Sequence, residues 1–580
     1  MSKRVLALVD KILNNNNKIY YDSETIENLF FQKKKINILK PFLYNQKLKL
    51  KNLKIINKWQ KKLFKDFVSS LNKEFNASYS DRFWAILIGP WFHFALNNFY
   101  NRFNSIKGNL YNYKIQEILV CSGVKDDTFA ADNTLDFIIN LNNPNWLAKT
   151  HLIISRYLNI KYKIKKDKKK YKKNNINILY FSLKKIKNLL FNLNFYFLKK
   201  NKSLIINTSL PKFSDYLFQL SMKNFPAFIF LDKFENKLKF KYNYSLRESL
   251  LKKYINSKDD MTIKCLKKLL VMSMPKSLLE NFIYFSNFIL KETFYKKIKF
   301  IFTSQNYDTN EYYKYLAAFA SQNGCRIVYM QHGNNEGTSK FDYYKNPEDT
   351  ADFIFTWGWK KNYKTIPLFN LNVSGKRKFN KESLTGSFLY FFSSPKPRKR
   401  FFWDTSLNYD LVYNNELFFI KNLSEQIHSS LILKLHTSQT SIYEENFKKF
   451  CNNINSKIIV TRSARLFEAM LNSKISIFSY DSSGLYEHLT MNHPCIAFSN
   501  TNFKEDIIET AQIYYNYLKE AGILYDNPRE AVDFVNKNWN RINDWWFSNN
   551  VQKNILKFVN KYSKYEKSPR KKLRSLLNKI

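Results

Sequence analysis

Between residues 299 and 356 the spacing of apolar positions changes twice. Lys299–Ser304 (KFIFTS) is a nearly unbroken apolar run, the pattern of a short strand buried on both faces. Glu311–Gln322 then places apolar residues three and four apart, Gly324 stands where a helix C-cap glycine belongs, and Arg326–Met330 (RIVYM) is a second run. These predict one β-α-β unit, which Asp352–Thr356 (DFIFT) extends by a third strand. After a basic, polar link at Gly375–Lys381 the alternation resumes. Ser387–Phe392, Leu431–Leu435, Lys457–Val460, Ile475–Phe478 and Cys495–Phe498 read as strands separated by helical segments. Such alternation predicts parallel, doubly wound α/β sheets, whose ligands bind beyond the carboxyl ends of the strands.

The flanking regions read differently. Up to about residue 150 the chain is aromatic and helical in pattern, and Lys161–Lys202 reads as a lysine- and asparagine-rich insertion or loose helix. Phe83–Phe99 is the most apolar window, but Gly89-Pro90 and His93 interrupt it, and it is shorter than the roughly 20 residues of a spanning helix. A buried helix-turn-helix is expected there. Pro528–Lys564 reads as closing helices that pack back across the first α/β domain. The expected organisation is a helix-rich region over 1–200, α/β domains over 201–380 and 381–527, and C-terminal helices with a basic tail over 528–580.

Composition sharpens this picture mainly through glycine. The 580 residues hold only 11 glycines, where average usage of about 7% would give roughly 40. Each remaining glycine therefore marks a place where backbone geometry or close approach demands one. The 95 Lys plus Arg against 47 Asp plus Glu give a formal charge of +48, which fits A/T-rich codon usage, a nucleic acid, an anionic membrane or a phosphorylated substrate. Basic residues are spread along the chain, so no nucleic-acid partner is expected. The tail from Lys561 sets Leu573, Leu576, Leu577 and Ile580 at helical spacing, which suits an exposed terminal helix or one lying on an anionic bilayer. Five cysteines without a CxxC pair, and an apolar stretch at Met1–Asp10 too short for a signal peptide, predict a reducing, cytoplasmic setting.

Three glycine-marked clusters follow predicted strands. In Gln331-His332-Gly333-Asn334-Asn335-Glu336-Gly337, with Thr356-Trp357-Gly358-Trp359 beyond it, the backbone at Gly333 can approach a ligand while imidazole reaches a phosphate or hydroxyl. Lys434 and His436 alternate onto one face at the end of a strand, suiting a diphosphate. Asp481-Ser482-Ser483-Gly484 opens a helix whose N-terminus suits an anion, with Glu487 one turn on for ribose hydroxyls. An ordinary N-cap explains Ser482 equally well. The chain contains no P-loop, no GxGxxG and no Asp-x-Asp, so phosphate charge would be met by Lys, His, Ser and helix dipoles, without a metal or other cofactor.

Trp84–Trp91 (WAILIGPW), Arg102, Asp136-Phe137, Asn145-Trp146, Glu311, Lys314, the QHG and TWGW segments, Asp481–Glu487 and Asn492-His493-Pro494 together carry a resemblance. The set resembles transferases of bacterial O-antigen and surface-polysaccharide gene clusters, distantly similar to capsule Kdo and sialic-acid transferases. The resemblance implies the GT-B architecture of two Rossmann-like domains. It also implies a peripheral enzyme at the inner membrane's cytoplasmic face, using a nucleotide-sugar donor of the CMP type and a lipid-linked or polysaccharide acceptor. Donor binding would fall to Lys434, His436, Ser482, Ser483, Gly484, Glu487, Gly333 and Trp357. Reaction at the sugar would fall to His332, with Asp308, Glu311, Glu336 and His332 as candidate bases. The chain departs from the family pattern at Asn334-Asn335-Glu336, where further glycine and an aromatic are expected. A glycerophosphate-type transfer, a nucleic-acid-binding protein and an inactive scaffold are the alternatives.

Overall fold

The short apolar stretch at the start of the chain is strand β1 (Arg4–Leu8), the centre of a parallel sheet. The computed structural model describes residues 4–8, 18–22, 37–39, 46–121, 123–165, 189–190, 192–228, 232–234, 237–305, 307–341, 345–395, 409–438, 441–453, 459–461, 466–500 and 503–580. Around β1 lie β2 (Lys18–Asp22), β3 (Asn37–Leu39), β4 (Glu117–Cys121) and β5 (Tyr162–Lys165), in the order β3-β2-β1-β4-β5. This sheet lies in the region expected to be helix-rich, and it corrects that reading. The helices are present too. α1 (Gln46–Glu74), α2 (Asp81–Leu87) and α3 (Gly89–Tyr113) intervene between β3 and β4, so no local strand-helix-strand pattern announces the sheet. The lysine run at 161–173 begins as edge strand β5, whose two middle residues are exposed; residues 166–173 lie outside the described ones.

The expected helix-turn-helix is α2 and α3, broken at Ile88, with Pro90 in the first turn of α3 and Trp84 and Trp91 fully buried. Among the described residues no helix is long and apolar enough to cross a membrane.

The second sheet has the order β10-β9-β8-β7-β6, from β6 (Ser203–Ile206), β7 (Phe300–Thr303), β8 (Arg326–Met330), β9 (Phe353–Thr356) and β10 (Thr365–Pro367). Helix α4 (Glu311–Gln322) joins β7 to β8 and packs against α2, tying the helical region to this sheet. The third sheet comprises β11 (Phe388–Phe392), β12 (Leu431–Lys434), β13 (Ile459–Thr461), β14 (Ser473–Phe478), β15 (Cys495–Phe498) and β16 (Leu524–Tyr525). Its order, β13-β12-β11-β14-β15-β16, reverses direction between β11 and β14. All recorded strand pairs in the three sheets are parallel, so the fold is mixed α/β built on three parallel sheets.

The closing helices return to the second sheet. After α6 below, Lys564 N–H donates to Trp357 O at 2.8 Å and Gly375 N–H to Glu566 O at 2.9 Å. Helix α5 (Ser483–Met491) follows β14, α6 (Asn549–Tyr562) packs on it, and α7 (Pro569–Leu577) ends the fold. Leu573 and Leu577 are buried and Leu576 and Ile580 pack beside them, so the apolar face of the tail is neither exposed nor available to a bilayer.

Candidate functional site

Gln331 explains why the QHG and TWGW segments occur together. Its Oε1 accepts from Trp357 N–H at 2.6 Å and from Trp359 Nε1–H at 2.8 Å, while its Nε2 donates to Gly333 O at 2.8 Å. Gly337 has φ +80°, and a Cβ there would sit 2.3 Å from the Trp359 indole. Gly358, at φ +133°, faces backbone oxygens of Asn560 and Lys561 in α6. Trp357 is fully buried and Gly333 is buried, so these two expected donor contacts form the wall of the site and hold the loop.

The four candidate bases separate by surroundings. Glu336 Oε1 accepts from His332 N–H at 3.1 Å, Gly333 N–H at 3.4 Å and the Tyr329 hydroxyl at 3.1 Å, so its carboxylate shapes the loop. Glu311 is 1% exposed; it accepts from Thr134 N–H at 2.7 Å and pairs with Lys314 Nζ at 3.0 Å. That ion pair meets Thr134 of the helical region. Asp308 is half-buried in the turn between β7 and α4, and His332 is half-buried at the carboxyl end of β8, its Nδ1 3.0 Å from Gln305 Nε2.

On the third sheet Leu433 and Leu435 point into the core as expected, and Lys434 lies over the Phe392 ring at 5.5 Å. Burial lowers the Lys434 pKa from its ordinary value. His436 is fixed at both ends: its N–H donates to Ser393 Oγ at 3.0 Å, and its Nδ1 accepts from Ser438 N–H at 3.1 Å. A main-chain N–H can only donate, so the neutral ring carries its proton on Nε2.

Ser482 caps α5, its Oγ accepting from the N–H groups of Gly484 at 2.9 Å and Leu485 at 3.3 Å. Gly484 lies against the Phe478 ring, which a Cβ would approach to 2.8 Å. Glu487 accepts from Asn372 Nδ2 at 2.8 Å, beside Lys376, so it faces the link between the second and third sheets. Burial pushes its carboxyl up to about 7. Burial also raises Asp481 to about 6, although Tyr515 OH donates to it at 2.6 Å.

Ser483 joins the clusters. Asn334 N–H donates to Ser483 Oγ and the Ser483 hydroxyl donates to Asn334 Oδ1, both at 3.1 Å. The loop after β8 thus meets the loop after β14, carboxyl edge to carboxyl edge. Thr338–Lys340 pairs with Asp506–Ile508 through Lys340 N–H to Asp506 O and Ile508 N–H to Thr338 O, each 2.8 Å. The departure at Asn334 therefore supplies one of the links between the two sheets.

Sequence reasoning missed Gln305, Glu416 and Asn500, and marked Asn334 only as a departure from the family pattern. Glu416, fully buried, accepts from Ser394 N–H at 2.8 Å and Ser479 Oγ–H at 2.6 Å, and Asn500 Nδ2 donates to Ser479 O at 2.5 Å. They hold together the loops after β11, β14 and β15, where the strand order reverses. A separate cavity of about 340 Å³ opens among Gln60, Phe64, Arg82, Phe92 and Asn346, and takes no residue from this edge. Among the described residues no group of three His, Cys, Asp or Glu has the arrangement of a metal site.

No match to the chain is found among curated proteins. Compared with known families, residues 11–577 match the one described as LIC12162 family transferase. The match covers nearly all 580 residues, and the chain belongs to the LIC12162 family of transferases.

Proposed function

We propose that the protein is a glycosyltransferase that moves a sugar from a nucleotide-sugar donor to a lipid-linked or surface-polysaccharide acceptor, with inversion and without a metal. The observation that carries this reading is the junction at Asn334 and Ser483, where the carboxyl edges of two parallel sheets meet. In this reading the two sheets belong to two Rossmann-like domains set in the GT-B manner. The third sheet supports it further, because its order is that of a mononucleotide-binding sheet and its loops meet at the reversal point.

In this reading the donor phosphate lies against the N-terminus of α5. His436 donates through Nε2–H, Lys434 supplies positive charge, and the Ser482 hydroxyl retains its proton for a phosphate oxygen. Ser483 and Glu487 position the helix rather than bind the nucleotide. Asp308 is the carboxylate suited to accept the acceptor hydroxyl's proton, since Glu311 and Glu336 are engaged in the fold. Contact with an anionic membrane surface is electrostatic here, because the tail's leucines are packed inside.

The test is a thermal-shift panel of CMP, CDP, UDP and GDP on wild type and His436→Ala. One nucleotide should stabilise the wild type and fail to stabilise the variant, whereas His332→Ala should bind that nucleotide and lose turnover. A wild type indifferent to all four that instead binds DNA or RNA with steep salt dependence would sink the reading.

A further inference from the structure

The strands β7 and β8 are paired neighbours, with Thr303 beside Tyr329, so the residues just beyond their carboxyl ends stand side by side. There Gln305 Nε2 lies 3.0 Å from His332 Nδ1. Two further bonds hold the partners. The Thr303 hydroxyl donates to Gln305 O at 3.0 Å, fixing the turn, and Glu336 takes the N–H of His332, fixing the main chain that carries the ring. The amide of Gln305 is what acts on the ring itself.

An amide nitrogen has protons and no lone pair to offer, so Nδ1 of His332 is the acceptor, and the neutral ring keeps its proton on Nε2. We infer that Gln305 is a positioning residue that fixes His332 as the Nε2–H tautomer. The ring thereby becomes a hydrogen-bond donor to negative charge developing at the junction, and is removed from the candidate bases. His436, across the junction on the third sheet, is held in the same tautomer by a main-chain N–H. The two imidazoles then form a pair of neutral donors, which suits a leaving oxygen or diphosphate and not the acceptor hydroxyl. Glu336 does not reverse this, because its carboxylate already receives two main-chain N–H groups and the Tyr329 hydroxyl, and Tyr329 in turn packs against Tyr307. The tautomer stands independently of the transfer reading; only its part in catalysis rests on that reading.

The experiment is long-range proton–nitrogen NMR on full-length protein labelled with 15N in its 7 histidines, His332 being assigned by the signal lost in His332→Gln. At pH 8 the wild type should show Nδ1 of His332 unprotonated and Nε2 protonated. Gln305→Leu should give averaged nitrogen signals, and Gln305→Glu, whose carboxylate accepts from Nδ1–H, should move the neutral ring's proton onto Nδ1. A wild-type ring protonated on Nδ1, or a Gln305→Leu spectrum identical to wild type, would overturn the inference. For transfer, Gln305→Glu should still bind donor and lose turnover at pH 8, because Nε2 then carries a lone pair in place of its proton; turnover retained or raised in that variant would mark His332 as the base and overturn the donor role. Failure of the wild type to bind any nucleotide would remove the transfer reading and leave the tautomer result intact.

Discussion

The amide of Gln331 is enclosed by the segments it joins, and its removal has a calculable consequence. Gln331→Leu leaves the Trp357 N–H and the Trp359 Nε1–H buried without their acceptor. Each such loss costs about 1–3 kcal/mol, so a fall in unfolding free energy of about 2–6 kcal/mol is expected by denaturant titration. A variant as stable as the wild type would show that the QHG and TWGW segments are coupled by something else. Glu487 makes a prediction of another kind. Its carboxyl titrates near 7 in the folded chain against an ordinary 4.5, because burial outweighs the bond from Asn372 and the charge of Lys376. The folded state therefore binds more protons between these values. The contribution is fully present below pH 4.5 and is lost as pH rises through 7. Relative to Glu487→Gln, the wild type should lose Tm steadily across that window and level off above it. Asp481 and the buried His488 and His493 titrate in both proteins, so they largely cancel in the difference. A flat difference would contradict the assignment.

At the scale of elements, α7 separates a packing role from a membrane role. Arg326 Nη1 donates to Ile580 O at 2.8 Å, and Leu573 and Leu577 enter the core shared by the second and third sheets. Leu573→Ala should cost about 2–5 kcal/mol, as truncation of a buried leucine does, and should leave sedimentation with anionic vesicles unchanged. Weakened vesicle binding at unchanged Tm would return α7 to the bilayer. The same helix shows why its sequence was ambiguous: a leucine stripe beside Lys and Arg is identical whether it covers a sheet or a lipid surface. The inner strands of the second and third sheets were legible because buried parallel strands read as unbroken apolar runs, and Arg326–Met330 and Cys495–Phe498 lie where their pattern puts them, whereas the edge strands β6, β10 and β16 were not read. The first sheet was not, since β3 has 3 residues, β2 is only partly buried, and β4 pairs with a strand more than a hundred positions earlier. In the site, glycine and histidine at strand ends were visible. Gln305 and Asn500 were not, and Asn334 stood out only as a departure, because a loop amide acquires its meaning only when the topology sets another strand end beside it.

At the scale of the molecule, the helical region is joined to the second sheet by a buried charge pair. Thr134 lies at the start of a short helix in the region of the first sheet. Its N–H donates to Glu311 Oε1 and its hydroxyl accepts from Lys314 Nζ, both at 2.7 Å, while Glu311 and Lys314 pair at 3.0 Å. Both charges are essentially without solvent, at 1% and 0% side-chain exposure. Asp232 adds to the cluster by accepting from Glu311 N–H at 2.7 Å, and burial with the Glu311 charge raises its carboxyl to about 6. Breaking one side of such a pair costs about 3–5 kcal/mol because the other charge is stranded, whereas neutralising both can cost far less. Lys314→Met should therefore destabilise strongly, and adding Glu311→Gln should recover part of the loss. A double-mutant cycle by denaturant unfolding measures the coupling. Because the pair on α4 holds Thr134 of the first sheet's region, Lys314→Met should also separate the melting of the first sheet from that of the second, visible as a second calorimetric transition absent from the wild type. The opposite pattern would be Glu311→Gln melting like the wild type while abolishing turnover. That result would move Glu311 from the structural joint to the reacting site and require the junction at Asn334 and Ser483 to be reconsidered as the place of transfer.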